Sequence, residues 1–221
     1  RIELSSSFDI LLEEKQQLID VKHKKLKESV NILNKSRLTI LPNIKMEVER
    51  MLKKLGMLYA QFDIEILESE QFHINGDTSV LLKFSANKGS EMQELSKVAS
   101  GGELSRLMLA VKYITAKSSQ VNTLIFDEID SGVSGEIASL MGDMMSDISR
   151  SNQLIAISHL PQIASRAKTH LKVIKTVCKD ETISSVVELD ENGRIEEIAK
   201  LLSGKKLTQA AIDNAVELLN Q

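Results

Sequence analysis

Two short apolar runs, Leu124-Ile125-Phe126 and Ile155-Ala156-Ile157, constrain the fold more than any other feature of this chain. The first ends in Asp127-Glu128 and the second in Ser158-His159, and both follow Ser100-Gly101-Gly102-Glu103. Helical patterns over 103–118 and 135–149 alternate with strand patterns over 122–127 and 153–158. Such alternation predicts a parallel sheet with helices packed on it. In a sheet of that kind the carboxyl ends of the strands line one edge, and ligands bind there. No G-x-x-x-x-G-K-[ST] occurs in the 221 residues, so a loop that grips a nucleotide phosphate is expected outside this chain.

Before residue 42 the pattern is different. The first 41 residues hold no Gly or Pro, and Leu12, Ile19, Leu26, Leu33 and Ile40 recur every seven positions. A seven-residue ladder marks a helix lying lengthwise on another helix. Lys25 interrupts the second column formed by Leu11, Leu18 and Ile32, so an amphipathic helix on a globular core is the competing reading. The favoured expectation is a coiled-coil arm whose partner strand is absent. Pro42 is expected to break or restart the helix, with a second amphipathic segment over 43–59. Alternation at Phe62, Ile64, Ile66 and at Val80, Leu82, Phe84 predicts two half-buried strands, followed by a polar loop over 86–99. Past His159, a short helix after Pro161, a hairpin of 171–177 with 182–189 joined by Lys179-Asp180-Glu181, and helices near 194–202 and 208–219 complete the reading. The domain boundary is placed at residue 60: 1–60 as arm and junction, 61–221 as a head lobe.

Composition narrows the function classes. A net charge of -3 gives no global nucleic-acid signal, so any DNA contact must come from a local patch or another region. The single cysteine, Cys178, excludes an internal disulfide and a cysteine-based zinc site. His23, His73 and His170 have no ligand-like spacing, and Lys22, Lys24, Lys25 and Lys27 read as a solvated helix face. No run approaches the roughly 18 apolar residues of a membrane helix. The start at Arg1 rather than Met reads as a piece of something longer.

Ser100 at an N-cap with Glu103 three positions on is a capping box that any helix can use. Gly101 and Gly102, however, fill the first helical positions, where glycine weakens a helix and its usefulness is close backbone approach. The free N–H groups and partial positive charge of a helix start suit a phosphate. Asp127 can hold Mg2+ through water, and Glu128 can polarise an attacking water. That division of labour suits phosphoryl transfer, which is mostly positioning and charge stabilisation. His159, 32 residues after Asp127, occupies the equivalent place on the next strand and is read as sensing a terminal phosphate.

These strings resemble the heads of ABC-type ATPases. Where transporter ATPases usually have proline after the Asp-Glu pair, this chain has Ile129-Asp130, as SMC-like chromosome-maintenance ATPases do. Val98-Ala99-Ser100-Gly101-Gly102-Glu103-Leu104-Ser105-Arg106, Asp127-Glu128-Ile129-Asp130-Ser131-Gly132-Val133-Ser134-Gly135, Ser158-His159-Leu160-Pro161-Gln162 and Glu197-Ile198-Ala199-Lys200-Leu201-Leu202 closely resemble the RecN family of bacterial DNA repair proteins. The match runs from about residue 40 onward; Ser203 stands where glycine is frequent. The resemblance implies an α/β carboxy-terminal lobe of an ABC/SMC-type ATPase head with an amino-terminal coiled-coil helix. It implies a cytoplasmic, nucleoid-associated ATPase in recombinational repair of double-strand breaks, using ATP and Mg2+ between two heads. Its partners would be its own amino-terminal lobe, a second head as a homodimer, and DNA, with no membrane. Ser100, Gly101, Gly102 and Glu103 would reach the partner head's ATP, Asp127 and Glu128 would serve their own, and Asp130 would begin the loop linking the sites. The other readings are a different SMC-like head and a non-catalytic coiled-coil scaffold.

Overall fold

A computed structural model describes the chain apart from residues 1, 99–100, 117–120, 131, 134, 179–180 and 205 and the side chains of 2–7, 9, 178 and 181. The first half holds α1 (Ile2–Lys54), β1 (Gln61–His73), β2 (Gly76–Ser85), β3 (Gln93–Glu94) and α2 (Gly101–Ala116). The second half holds β4 (Thr123–Asp127), α3 (Gly135–Ser149), β5 (Gln153–Ile157), α4 (Pro161–Ala164), β6 (Leu171–Cys178), β7 (Glu181–Glu188), α5 (Glu191–Ser203) and α6 (Gln209–Leu219). Two compact units emerge: residues 1–46 with 62–83, and residues 47–61 with 84–221.

In the first unit, the hairpin of β1 and β2 lies along α1. The Lys45 ammonium pairs with Asp63 at 3.0 Å, and the His23 ring meets Phe72 edge-on at 5.6 Å between centroids. From Asp63 to Phe72 is nine strand steps, and from Lys45 back to His23 is twenty-two helix steps. Both span about 30 Å, so strand and helix run antiparallel in matched length. The tip is pinned by polar bonds: Arg37 donates to Thr78 Oγ1 at 2.7 Å and to the Asn75 carbonyl at 2.6 Å. Asn34 Nδ2 adds a bond to Asp77 Oδ1 at 2.8 Å. Gly76 has φ +100, and a Cβ there would meet Leu33 at 3.2 Å, so both backbone shape and space require glycine. Most of the heptad ladder stays outside this contact: Leu12, Ile19, Leu26 and Ile40 are 42–59% exposed, and only Leu33, at 38%, lies against the hairpin turn.

Pro42 does not break the helix; α1 runs through it. Proline removes the donor that would bond the Leu38 carbonyl. Leu38 is exposed, so water can serve that carbonyl instead. The stop comes at Gly56, where φ is +79, with Met57 N–H bonded to the Leu52 carbonyl at 2.9 Å and Gly56 N–H to the Lys53 carbonyl at 3.2 Å. This is a Schellman ending, which needs a left-handed residue. The expected second helix over 43–59 is therefore the last turns of α1.

In the second unit, β4 and β5 pair in parallel with Asp127 opposite Ile157, and α3 forms the crossover. One face of β4 buries Leu124 and Phe126, while α3 buries Ala138, Met141, Met144, Met145 and Ile148. The other face is bare among the described residues, with Ile125, Ile155 and Ile157 exposed. Gly142 lets α3 approach α4, since a Cβ there would sit 2.9 Å from the Gln162 carbonyl. β6 and β7 form the expected antiparallel hairpin, with Leu171 opposite Glu188; Lys179 and Asp180 of its turn lie outside the described residues. A second small core joins α5 and α6 through Ile198, Ala199, Ala211 and Ala215. Asp190 caps α5 by accepting Gly193 N–H at 2.8 Å, and Thr208 caps α6 by accepting Ala211 N–H at 3.2 Å.

Burial separates residues that hold the fold from those that do not. Leu52 is fully buried and Ile19 is not. Leu52→Ala should cost about 2–5 kcal/mol in urea denaturation, and Ile19→Ala should stay within about 0.5 kcal/mol. Beside the hairpin, burial holds the His170 ring below its ordinary pKa of 6.5, and the Arg194 and Lys172 charges add to this against Glu197. The folded protein therefore prefers neutral His170, so its contribution is full above pH 6.5 and declines as pH falls below it. His170→Gln should flatten that part of a stability-versus-pH curve measured by thermal unfolding.

Candidate functional site

The site is assembled by strand register. Because β4 and β5 are parallel and aligned, their carboxyl ends finish side by side, placing Asp127-Glu128 beside Ser158-His159. The two ends are tied by Glu128 N–H donating to the Ile157 carbonyl at 3.2 Å. Asp127 and Glu128 are exposed, as the sequence requires of groups meant for a ligand. Glu128 has φ 48, the single positive value at a non-glycine among the described residues. A left-handed turn at a residue with a Cβ costs about 1–2 kcal/mol. Such strain persists where surrounding bonds over-determine it, and it clusters at functional sites.

The next two residues turn inward: Ile129 and Asp130 are 3% and 1% exposed. The Asp130 carboxylate is covered and faces its own chain. Its Oδ2 accepts the Ser158 hydroxyl at 2.5 Å and the His159 N–H at 3.1 Å, and His159 Nδ1 lies 3.3 Å away. Ser158 Oγ in turn accepts Leu160 N–H at 3.0 Å. The His159 ring itself is 74% exposed at its side chain. Sequence reading placed Asp130 in a loop but missed the job of Ser158. No local signal could have found it, since the hydroxyl reaches a carboxylate 28 residues earlier in the chain. Past Asp130, Gly132 and Gly135 both take positive φ, which bends the loop into α3.

Gly101, Gly102 and Glu103 open α2. Ser100 lies outside the described residues, so the capping box cannot be placed. Gly101 is exposed, has no positive φ, and a Cβ there would meet nothing within 4 Å. Nothing among the described residues requires glycine at that position. Glu103 and Arg106, one turn apart, border a shallow cavity of about 200 Å3 with Gly56, Met57, Tyr59 and Asn87. Among the described residues, no group of three His, Cys, Asp or Glu comes together to hold a metal ion. A metal at Asp127 would thus take most of its ligands from water and phosphate, which is how Mg2+ is commonly held. No helix among the described residues is long and apolar enough to cross a membrane.

Comparison with known proteins decides the lineage. Over 197 residues the chain is 38% identical to the DNA repair protein RecN of Rickettsia felis, covering 89% of this chain and 36% of that one. RecN of Vibrio cholerae is 36% identical over 203 residues, covering 91% and 36%, and RecN of Haemophilus influenzae 31% over 220, covering 99% and 39%. By sequence, this chain belongs with RecN. It spans just over a third of the length of those relatives. No family model matches it. Among solved structures, the SMC head domain with coiled coil and joint from Pyrococcus yayanosii superposes with a TM-score of 0.63 at 21% identity, covering 93% of this chain and 36% of that one. The head domain with extended coiled coil from Pyrococcus furiosus, bound to the C-terminal domain of ScpA, gives 0.58 at 19% identity, covering 91% and 47%. The fold is that of an SMC head domain with its coiled-coil helix.

The strain at Glu128 has a measurable consequence. Glu128→Gly should be more stable than Glu128→Ala by about 1 kcal/mol, because glycine enters the left-handed region freely. Equilibrium unfolding of the two variants, which lose the same carboxylate, checks this.

Proposed function

We propose that this chain is the carboxy-terminal lobe of a RecN-like ATPase that hydrolyses ATP between two engaged heads during repair of DNA double-strand breaks. The observation that carries the reading is the meeting of Asp127-Glu128 with His159 at one edge of a parallel pair, at the end of β4 and β5. Residues 1–60 are read as arm and junction and 61–221 as head lobe, with the hairpin over 62–83 clustering with the arm. The bare apolar face of β4 and β5 supports an absent lobe, since parallel sheets are covered on both faces.

In this reading each residue has one task. Asp127 holds the metal through water. Glu128, aimed outward by its turn, takes the proton from a water as it attacks. His159 contacts the terminal phosphate. Ser100, Gly101, Gly102 and Glu103 serve the ATP of the opposite head, where the unobstructed space above Gly101 allows a phosphate to approach backbone N–H groups. Mg2+ bound there would neutralise charge developing on the phosphoryl oxygens. ATP and Mg2+ are the cofactors that the resemblance to ABC-type heads implies. The partners are the amino-terminal lobe, a second head and DNA, with the cytoplasm and nucleoid as the setting.

Turnover is the test. This chain alone should hydrolyse no ATP above background, and joining it to a lobe carrying the phosphate-binding loop should restore hydrolysis. In the joined protein Glu128→Gln should abolish turnover while retaining ATP. Ser100→Arg should spare ATP binding by a single head but block head engagement, as read by sedimentation with ATP. Turnover by the lone chain that Glu128→Gln abolishes would overturn the reading.

A further inference from the structure

We propose that Asp130 is a positioning residue for His159, acting within its own chain: its buried carboxylate holds the ring by Nδ1, so that Nε2 is the nitrogen presented outward. The inference rests on the reading above for what Nε2 meets, but not for how the ring is held.

The geometry is one-sided. Asp130 has no exposed side-chain surface, and a carboxylate stays buried only when donors surround it. The donors are Ser158 Oγ at 2.5 Å and His159 N–H at 3.1 Å, both reaching Oδ2. Its second oxygen, Oδ1, has no partner among the described residues. An ionised carboxylate only accepts hydrogen bonds. His159 Nδ1 lies 3.3 Å from the same Oδ2, and a hydrogen on Nδ1 is favoured there over a bare lone pair beside the carboxylate. With Nδ1 committed, Nε2 becomes the acceptor of the neutral ring.

Two loops are joined through this one side chain. The Asp130 carbonyl accepts Val133 N–H at 3.1 Å, so the residue also starts the turn leading to Gly135. On the other side, Ser158 Oγ passes the connection on to Leu160 N–H at 3.0 Å. Residues 158–160 are thus organised around a single carboxylate oxygen. A shift of the turn at 130–133 would move the His159 ring, with no change in β4 or β5.

Tautomer state reads the proposal directly and needs no nucleotide. The chain contains four histidines, and ring 15N correlation spectra report which nitrogen of each is protonated, with His159→Gln assigning the signal. With the ring neutral, native His159 should favour Nδ1–H by roughly tenfold, the effect of a charge-assisted bond. Asp130→Ala should reverse this toward Nε2–H, the form favoured by free histidine in water. Ser158→Ala, which leaves the carboxylate in place, should keep Nδ1–H. If Asp130→Ala fails to fold, Asp130→Asn, which keeps the shape but removes the charge, should still weaken the Nδ1–H preference. Nε2–H in the native protein, or a native-like Asp130→Ala that keeps Nδ1–H, overturns the proposal. A separate arm tests the functional reading: if the joined protein turns over normally with His159→Ala, the phosphate contact fails while the tautomer result stands.

Discussion

The parallel register of β4 and β5 is the constraint on which the site depends. Five residue pairs from Thr123 with Gln153 to Asp127 with Ile157 bring the two strand ends level. A slip of one residue would turn Asp127 to the opposite face and separate it from His159. Parallel strands cannot be joined by a tight turn, so the register is held from outside by the crossover helix. α3 packs on β5 with a methionine-rich buried face, whose flexible side chains adapt to the space they fill. Gly142 brings the same helix against α4, the element that begins two residues after His159. The position of the histidine is thus set by packing on the helix behind it as well as by the strand that carries it.

The arm shows a different division of forces. Its hairpin is attached along α1 by Lys45 with Asp63, Arg37 with Asn75 and Thr78, and Asn34 with Asp77. Polar pins of this kind fix register more than they add stability, because exposed pairs contribute about 0–1 kcal/mol each. The Lys45 ammonium holds the Asp63 carboxyl below its ordinary range against a smaller opposing effect of burial. Apart from Leu33, the apolar ladder residues remain outside the hairpin contact. Helix stability in water comes mostly from packing, so the stretch over 10–28, exposed throughout where its side chains are described, depends on whatever covers the ladder.

Much of this was legible in the sequence, and the failures have physical causes. The span 135–149 matches α3 residue for residue because Gly135 and a strongly periodic apolar face mark its limits. Pro42 misled because a proline costs a helix one hydrogen bond, and an exposed carbonyl at Leu38 lets water take its place. Gly56, the residue that interrupts the expected segment over 43–59, is the true stop, and tertiary contact reinforces it: a Cβ there would lie 2.4 Å from Ile137. The length of β1 and β2 was underestimated, since alternation fades after Ile66 where the strand meets α1 by polar contacts. At the site, strand ends and candidate carboxylates were readable, but no local pattern announces that Asp130 is buried while its neighbour Glu128 is exposed. That sorting comes from a single left-handed turn.

Two departures from local preference stand among the candidate site residues, and they point in opposite directions. Gly101 is a glycine where nothing among the described residues asks for one: the helix is regular there and a side chain would meet open space. Glu128 carries a side chain at a φ that glycine would enter more easily. Neither choice helps the fold, and well-specified sequences tend to break local rules where function requires it. At Gly101 the missing side chain leaves backbone N–H groups approachable at a helix start, which suits an anion. At Glu128 the retained carboxylate is held outward by a strained turn and a bond to Ile157. Both are intelligible if each residue meets a different nucleotide, Gly101 approaching a phosphate by its backbone and Glu128 by a carboxylate and the water it orients.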